Sequence, residues 1–142
     1  LAMLLVPYTP PSEPVIKPLT GQYDFTGKVG MSRLIDIDEG SRVRTAIVRF
    51  EPCARTLWHH HVGQQILYVV SGKGLAQTWE DCLRKKEPDV IAPGDMVYFS
   101  PGEKHWHGAA PDSPLEQIAF IAGGETIWNE EVSEEQYFLA KS

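Results

Sequence analysis

Several features that would narrow the class of this protein at once are scarce in its sequence. The 142 residues include only two cysteines, Cys53 and Cys82, which are too few for a disulfide framework and match no CxxC metal spacing. The first six residues form an apolar run, but six residues are far too few to span a bilayer. No long run of Lys or Arg offsets the formal charge of −6, which argues against a nucleic acid or an anionic membrane as partner.

What is present is the composition of one ordinary globular domain. Hydrophobic residues make up 42% of the chain and charged residues 23%, and a chain of this length can bury a sizeable core. Five prolines between residues 7 and 20 exclude a helix there and favour an extended arm. We therefore expect an N-terminal arm over residues 1–21 and a single folded domain over residues 22–142. The opening apolar run is compatible with a strand exchanged with a partner subunit or with a remnant of a targeting segment.

The pattern beyond the arm predicts an all-β fold. Short runs rich in β-branched and aromatic residues are separated by Gly- and Pro-containing turns, which is typical of a sandwich or a barrel. The predicted strands are Arg44–Glu51, Gln65–Ser71, Leu75–Glu80, Met96–Ser100 and Leu115–Ala122. Only the C-terminal end looks helical, because Ser133 followed three residues later by Gln136 is a capping box.

The histidines are the most informative residues. All five lie in two clusters, His59-His60-His61 and His105-x-His107, each next to a strand-like segment. Alternate residues of a strand point to the same face, so His59 and His61 should be neighbours with His60 on the opposite face. His105 and His107 should share a face if the extended pairing reaches them. Imidazoles that converge from two strands predict a transition-metal site.

The spacing of these residues resembles the two motifs of the cupin family. In the first motif, position 53 stands where a Gly is usual, His59 and His61 form the His-x-His pair, Gln65 replaces a Glu, and Gly72 closes the motif. The second motif begins at Gly94, and Gly102 and His105 fall in register, with Ser100 in place of Pro and Ala109 in place of Asn. The resemblance covers roughly residues 40 to 125. It implies a double-stranded antiparallel β-barrel, or jelly roll, with a metal inside.

The strings WHHHVGQQ and SPGEKHWHGAAP are similar to a narrower group of small cupins. These are related to carboxymuconolactone-decarboxylase-associated proteins and to bacterial cupin hydroxynitrile lyases. That likeness implies three His and one Gln as ligands of manganese or another divalent metal, here His59, His61, Gln65 and His105. Fe, Ni and Zn also suit neutral imidazoles, and a ligand set without charge leaves the metal its full charge for Lewis-acid chemistry.

His107 is open to two interpretations, a general base near neutral pH or a hydrogen-bonded residue behind the ligands. On the strand of residues 115–122, Gln117 occupies the place where the hydroxynitrile-lyase relatives have a second His. Because Gln cannot act as a base, the difference weakens an assignment as a cyanohydrin lyase. Trp58 and Trp106 alternate with the ligands and should face away from them, and Trp128 is expected in a core or an interface.

These observations favour a metal-dependent enzyme that acts on a small carbonyl- or enol-type molecule, with His107 moving a proton. The alternatives are a metal-dependent dioxygenase and a non-catalytic ligand-binding or sensor module, since one fold hosts many functions. We expect one divalent transition metal per chain, with manganese favoured, and a small apolar pocket. A homodimer is expected because a small barrel has exposed sheet edges. Two plain thiols are compatible with a cytoplasmic protein.

Overall fold

A computed structural model describes residues 5–8, 10–11, 18–19, 22–23, 25–35 and 43–141. Short strands dominate these residues, as the alternation of apolar and polar residues predicts. The fourteen strands are β1 (Pro18–Leu19), β2 (Gln22–Tyr23), β3 (Phe25–Thr26), β4 (Val29–Ile35), β5 (Val43–Phe50), β6 (Arg55–Thr56), β7 (His59–His61), β8 (Gln65–Gly72), β9 (Gly74–Thr78), β10 (Asp89–Ile91), β11 (Met96–Phe99), β12 (His105–Ala109), β13 (Leu115–Ala122) and β14 (Thr126–Trp128). The helices are α1 (Trp79–Leu83), α2 (Glu134–Tyr137) and a 3₁₀ turn, Phe138–Lys141.

Two antiparallel sheets form the barrel, so the expected all-β jelly roll is confirmed. The five-stranded sheet has the order β11-β8-β13-β5-β4. The seven-stranded sheet has the order β10-β9-β12-β6-β3, in which β7 also pairs with β12 and β14 pairs with β7. Apolar side chains from the facing surfaces of both sheets form the main core, which we call the inner cluster. Its members with no measurable exposure are Phe50, Ala54, Leu67, Val69, Ala109 and Leu115.

Four of the five predicted strands agree with the structure to within one residue. The prediction for Leu75–Glu80 was wrong at its end, because β9 stops at Thr78 and α1 begins at Trp79. The Thr78 hydroxyl accepts a hydrogen bond from the Asp81 N–H, and this N-cap starts a helix after a residue that favours strands. The predicted capping box at Ser133 is confirmed, with both of its hydrogen bonds present at the start of α2.

A second buried group lies on the outer surface of the seven-stranded sheet, under the C-terminal helix. This outer cluster consists of Trp58, Leu75, Trp106, Val132 and Tyr137. The Tyr137 hydroxyl donates to the Ala109 carbonyl, and the Arg55 guanidinium lies 4.3 Å from the centre of the Tyr137 ring. The cluster therefore fastens the end of the chain to the back of the sheet that carries the histidines.

Both cysteines are free thiols, as expected, and each is half-buried against the outer cluster. Cys53 takes a positive φ of 69°, the conformation that explains why the cupin motif has Gly at this position. No helix in the described ranges is long and apolar enough to cross a membrane.

The expectations for the N-terminal arm fall mostly on residues 1–4, 9, 12–17, 20 and 21, which lie outside the described part of the chain. The domain boundary between residues 21 and 22 accordingly stays a prediction. Within the arm, the Tyr8 hydroxyl donates to a Glu116 carboxylate oxygen at 3.2 Å, which places this residue against β13.

Candidate metal centre

The two histidine clusters lie side by side in the seven-stranded sheet. β7 and β12 are antiparallel neighbours, with His59 opposite His105. The rings of His59, His61, His105 and His107 are all buried on the inner side of the sheet, whereas His60 is half-buried and its Nδ1 lies 3.2 Å from Asn129 Oδ1. The alternation predicted from strand geometry is therefore confirmed for both clusters.

Three of these imidazoles form a group that could hold a metal ion. One ring nitrogen each from His59, His61 and His105 lies within 4.8 Å of the other two. Gln65, the first residue of β8, reaches the same group from the opposite sheet: its Oε1 is 3.0 Å from His61 Nε2 and 2.9 Å from His105 Nε2. The structure thus brings together all four side chains that the cupin resemblance implies as ligands.

The backs of the three rings are fixed by other hydrogen bonds. His59 Nδ1 donates to the Leu57 carbonyl at 2.9 Å, and His105 Nδ1 donates to the Glu103 carbonyl at 2.7 Å. His61 Nδ1 is 2.8 Å from the Thr126 hydroxyl. A carbonyl can only accept, so His59 and His105 donate from Nδ1 and have their lone pairs on Nε2, the tautomer that a metal ligand requires. The Thr126 hydroxyl can accept or donate, so it orients the His61 ring without selecting its tautomer.

The hydrogen bond from His105 Nδ1 leaves Gln65 Oε1 facing another acceptor. In a neutral His105 ring the Nε2 atom is an acceptor, and so is Gln65 Oε1, yet the two atoms lie 2.9 Å apart. Two acceptors at this distance repel each other unless a cation lies beside them or the amide turns over. The donor set of three imidazoles and one amide oxygen therefore fits a divalent transition metal.

Burial keeps the imidazoles uncharged. It lowers the pKa of His59 and of His105 well below the usual value, and neighbouring imidazoles lower them further. Burial lowers the pKa of His61 to about 4, although the Gln65 hydrogen bond opposes the shift. Neutral imidazoles are the form that binds metals, so the site is prepared for a cation at neutral pH without losing protons first.

His107 lies beside this group but is held differently. The Gln117 amide nitrogen donates to His107 Nδ1 at 2.9 Å, which puts the imidazole proton on Nε2. Both His107 Nε2 and Gln117 Oε1 are buried without a partner among the described residues. Burial lowers the pKa of His107 well below the usual value, and His59 and His61 add to the effect. A buried donor without a partner is costly, so this N–H is suited to a bound molecule.

A cavity of about 310 Å³ opens in front of these residues. His59, His61, Gln65 and His107 lie along it, and the rest of its lining is mostly apolar. An aromatic wall forms one side, where Phe25 lies 6.0 Å from both Phe50 and Trp128, measured between ring centres. The small, mostly apolar pocket that the sequence predicts is therefore present.

Apolar side chains from one face of β5, Ala46, Val48 and Phe50, line the cavity, whereas Leu67 and Val69 of β8 belong to the inner cluster. Trp58 and Trp106 point away into the outer cluster, as expected.

Many lining residues were not predicted from the sequence, and three of them matter for the site: Trp128, Thr126 and Arg44. Trp128 and Thr126 lie on β14, which pairs with β7 so that they stand opposite His59 and His61. The ring of Trp128 is centred 4.8 Å from that of His59. A short strand of three residues gave no pattern by which its pairing could be predicted.

Comparison with known proteins agrees with this architecture. Residues 46–121 match the model of the cupin domain family. The chain is 43% identical over 116 residues to a protein of Granulicella tundricola named (R)-mandelonitrile lyase, which covers 80% of this chain and 85% of the relative.

Solved structures show the same fold. A cupin-like protein of Thermotoga maritima superimposes with a TM-score of 0.74 at 40% identity, over 80% of this chain and 85% of that one. The polyketide cyclase RemF of Streptomyces resistomycificus gives a TM-score of 0.69 at 18% identity, over 99% and 94% of the two chains, and shares the fold. On the family match, the identity and the paired histidine motifs, this chain belongs to the cupin family.

Proposed function

We propose that this protein is a metal-dependent lyase-type enzyme that acts on a small molecule with a carbonyl or hydroxyl oxygen. The observation that carries the proposal is the joining of two functions in one cavity. Three imidazoles form a group that could hold a metal ion, and two of them, His59 and His61, line one mostly apolar cavity together with His107, whose Nε2 lacks a partner among the described residues. The relative named (R)-mandelonitrile lyase supports a lyase rather than a carrier.

In this proposal His59, His61, His105 and Gln65 bind one divalent cation, which when bound polarises a substrate oxygen as a Lewis acid. Leu57, Glu103 and Thr126 orient the three imidazoles through their Nδ1 atoms. The two carbonyl partners also hold His59 and His105 in one tautomer. In other proteins the loss of such a hydrogen bond lowers metal affinity by roughly 10- to 100-fold.

His107 is the proposed catalytic residue beside the metal site. Gln117 keeps the His107 proton on Nε2, where the neutral ring can donate a hydrogen bond to a substrate oxygen or to a leaving group in the cavity and stabilise negative charge that develops there. Phe25, Phe50 and Trp128 orient the apolar part of the molecule and exclude water from it. Exclusion of water strengthens each of these polar contacts.

The first test is the metal content of protein purified without an affinity tag, measured by elemental mass spectrometry. We expect about one Mn, Fe, Ni or Zn per chain, and we expect His59→Ala and His105→Ala to weaken metal binding by more than about 100-fold. His60→Ala is the matched control, because His60 belongs to the same strand but faces away from the site. A protein that takes up no metal even after reconstitution would refute the proposal.

The second test separates an enzyme from a binding module. The wild-type protein is first screened with small carbonyl and hydroxyl compounds, (R)-mandelonitrile and carboxylate-bearing compounds among them. For a compound that it turns over, His107→Ala should keep its metal and lose turnover by about 100-fold or more. Full turnover in this variant would remove His107 from the mechanism, and ligand binding without turnover in the wild-type protein would indicate a carrier. Activity that zinc cannot support would instead indicate the dioxygenase.

We further propose manganese as the preferred metal, a homodimer as the working form and the cytoplasm as the location. The two free thiols suit a reducing compartment. Metal analysis, the solution mass from light scattering and cell fractionation test these three proposals in turn.

A further inference from the structure

The cavity holds a basic side chain for which the metal centre has no use. Among the described residues that line it, Arg44 is the only Lys or Arg. Arg44 lies near the start of β5 on the same side of the strand as Ala46 and Val48, which also line the cavity. Its guanidinium Nη2 donates to the Gly124 carbonyl at 2.9 Å. A guanidinium has five N–H donors, so this bond orients the group while others can serve a ligand.

The sheet register places Arg44 at a defined distance from the metal centre. Ile121 on the central strand β13 is the direct partner of Arg44 on β5 and also of Gln65 on β8. Adjacent strands lie about 4.8 Å apart, so the backbones of Arg44 and Gln65 are separated by about 10 Å across the face that Ile121 covers. A small molecule with one end at the imidazoles lies over Ile121 and comes within reach of the Arg44 side chain.

The charges between the imidazoles and Arg44 favour an anionic ligand in the cavity. The four candidate ligands are neutral, so a bound metal keeps its full positive charge, and Arg44 adds a second positive charge at the other end.

Glu125 also lines the cavity and is the opposing charge. It is exposed, whereas Arg44 is half-buried, so water screens the carboxylate more strongly than the guanidinium. Arg44 accordingly dominates what a ligand inside the cavity experiences.

We propose that Arg44 is a specificity-determining residue that binds the carboxylate of a small substrate, the reacting oxygen of which lies at the histidine centre. The substrate class is thus a carboxylate-bearing carbonyl or hydroxyl compound rather than a neutral cyanohydrin. This assignment rests on the proposed function, because it takes the histidine centre as the place of the reacting oxygen.

Calorimetry with two matched metal-binding ligands tests the proposal. The monohydroxamate of succinic acid and the hydroxamate of succinamic acid share the same metal-binding end and the same length, but one ends in a carboxylate and the other in an amide. The metal-loaded wild-type protein should bind the carboxylate form roughly tenfold more tightly, the size expected for a partly screened charged hydrogen bond. Arg44→Gln should reduce the preference to about one, and Arg44→Lys should keep part of it.

Arg49→Gln is the matched control. Arg49 lies on the same strand with the opposite orientation, where it forms an ion pair with Glu51, and its removal changes the net charge equally. It should leave the preference intact. A rise in salt concentration should lower the preference of the wild-type protein, a measurement that requires no variant.

The possible outcomes distinguish a failure of the role of Arg44 from a failure of the proposed metal centre. Equal binding of both hydroxamates by the wild-type protein, or a preference that survives Arg44→Gln, overturns the role of Arg44 and leaves the metal centre standing. Failure of the protein to bind either hydroxamate overturns the proposed function and this inference together.

Discussion

The strands that carry the histidines have two buried faces with opposite properties. On the inner face, His59, His61 and His105 converge with ring nitrogens directed at one point. On the outer face, the alternating residues Trp58 and Trp106 pack into the outer cluster with no measurable exposure. The three histidines and the two tryptophans are all buried, so burial alone does not distinguish a functional group of side chains from a structural one.

The difference lies in where the polar atoms find partners. In the outer cluster the indole N–H of Trp58 donates to Gln136 at 3.2 Å, and that of Trp106 donates to Gln77 at 3.0 Å. On the inner face His107 Nε2 is buried without a partner among the described residues. Buried polar groups are normally satisfied within a protein. Arg55 Nε, beside the outer cluster, also lacks a partner, but the other guanidinium nitrogens donate to the Cys53 and Val132 carbonyls. The ring N–H of His107 has no such partner, which favours the inner face as the place of a ligand, whereas the outer cluster serves stability.

The largest effect on stability should come from a substitution in the outer cluster. Tyr137→Ala removes a fully buried ring together with its hydroxyl bond to the Ala109 carbonyl and its contact with Arg55. We expect the free energy of unfolding, measured by urea denaturation, to fall by about 3–5 kcal/mol. Metal content per folded chain should remain unchanged.

Tyr137→Phe isolates the hydroxyl group and should cost about 1–2 kcal/mol. A loss of bound metal in folded Tyr137→Phe protein would break the proposed separation between the two faces.

The inner face should be the acid-sensitive one. Because burial lowers the pKa of His61 to about 4, and lowers those of His59, His105 and His107 in the same direction, these rings take up protons on unfolding near pH 5. Stability of the metal-free protein is therefore full above the unfolded pKa of about 6.5 and is lost as the pH falls toward 4. Each proton gained only on unfolding lowers the free energy of unfolding by about 1.4 kcal/mol per pH unit.

Urea denaturation in the presence of a chelator, at several pH values between 7 and 4.5, measures this slope. His61→Gln should make it shallower, because one titrating ring is gone. A free energy of unfolding that stays level between pH 7 and 5 would contradict the assignment of neutral, buried imidazoles to the inner face.

The smallest effect should come from a turn that belongs to neither face. Gly94 has a φ of 90° and open space around the position of a Cβ atom, so Gly94→Ala introduces backbone strain alone. We expect a loss of about 1 kcal/mol with unchanged metal content. Gly72→Ala is the contrast, since its Cβ would lie 1.9 Å from the Pro114 carbonyl oxygen and should cost clearly more. Equal losses of stability in the two variants, measured by thermal denaturation, would show that the chain moves to relieve the contact at Gly72.

Much of this architecture was open to prediction because β structure leaves a period of two in the sequence. The alternation of His and Trp in residues 58–61 and 105–107 predicted which side chains share a face, and the motif spacing placed Gln65 with them. The start of α1 was missed because Trp79 favours strands, whereas its position after the Thr78 N-cap decides the outcome. Residues of β14 were missed because a three-residue strand has too little pattern.

The sequence by itself determined the all-β class and the faces of the histidines, because local alternation encodes them, and its resemblance to the cupin motifs implied the four side chains that meet. Only the tertiary structure decided that Gln117 bonds His107, that Thr126 bonds His61, and that Arg44 lies across Ile121 from Gln65. These contacts join residues 10 to 65 positions apart through strand register. Register depends on how whole sheets pack against each other, and no local pattern carries that information.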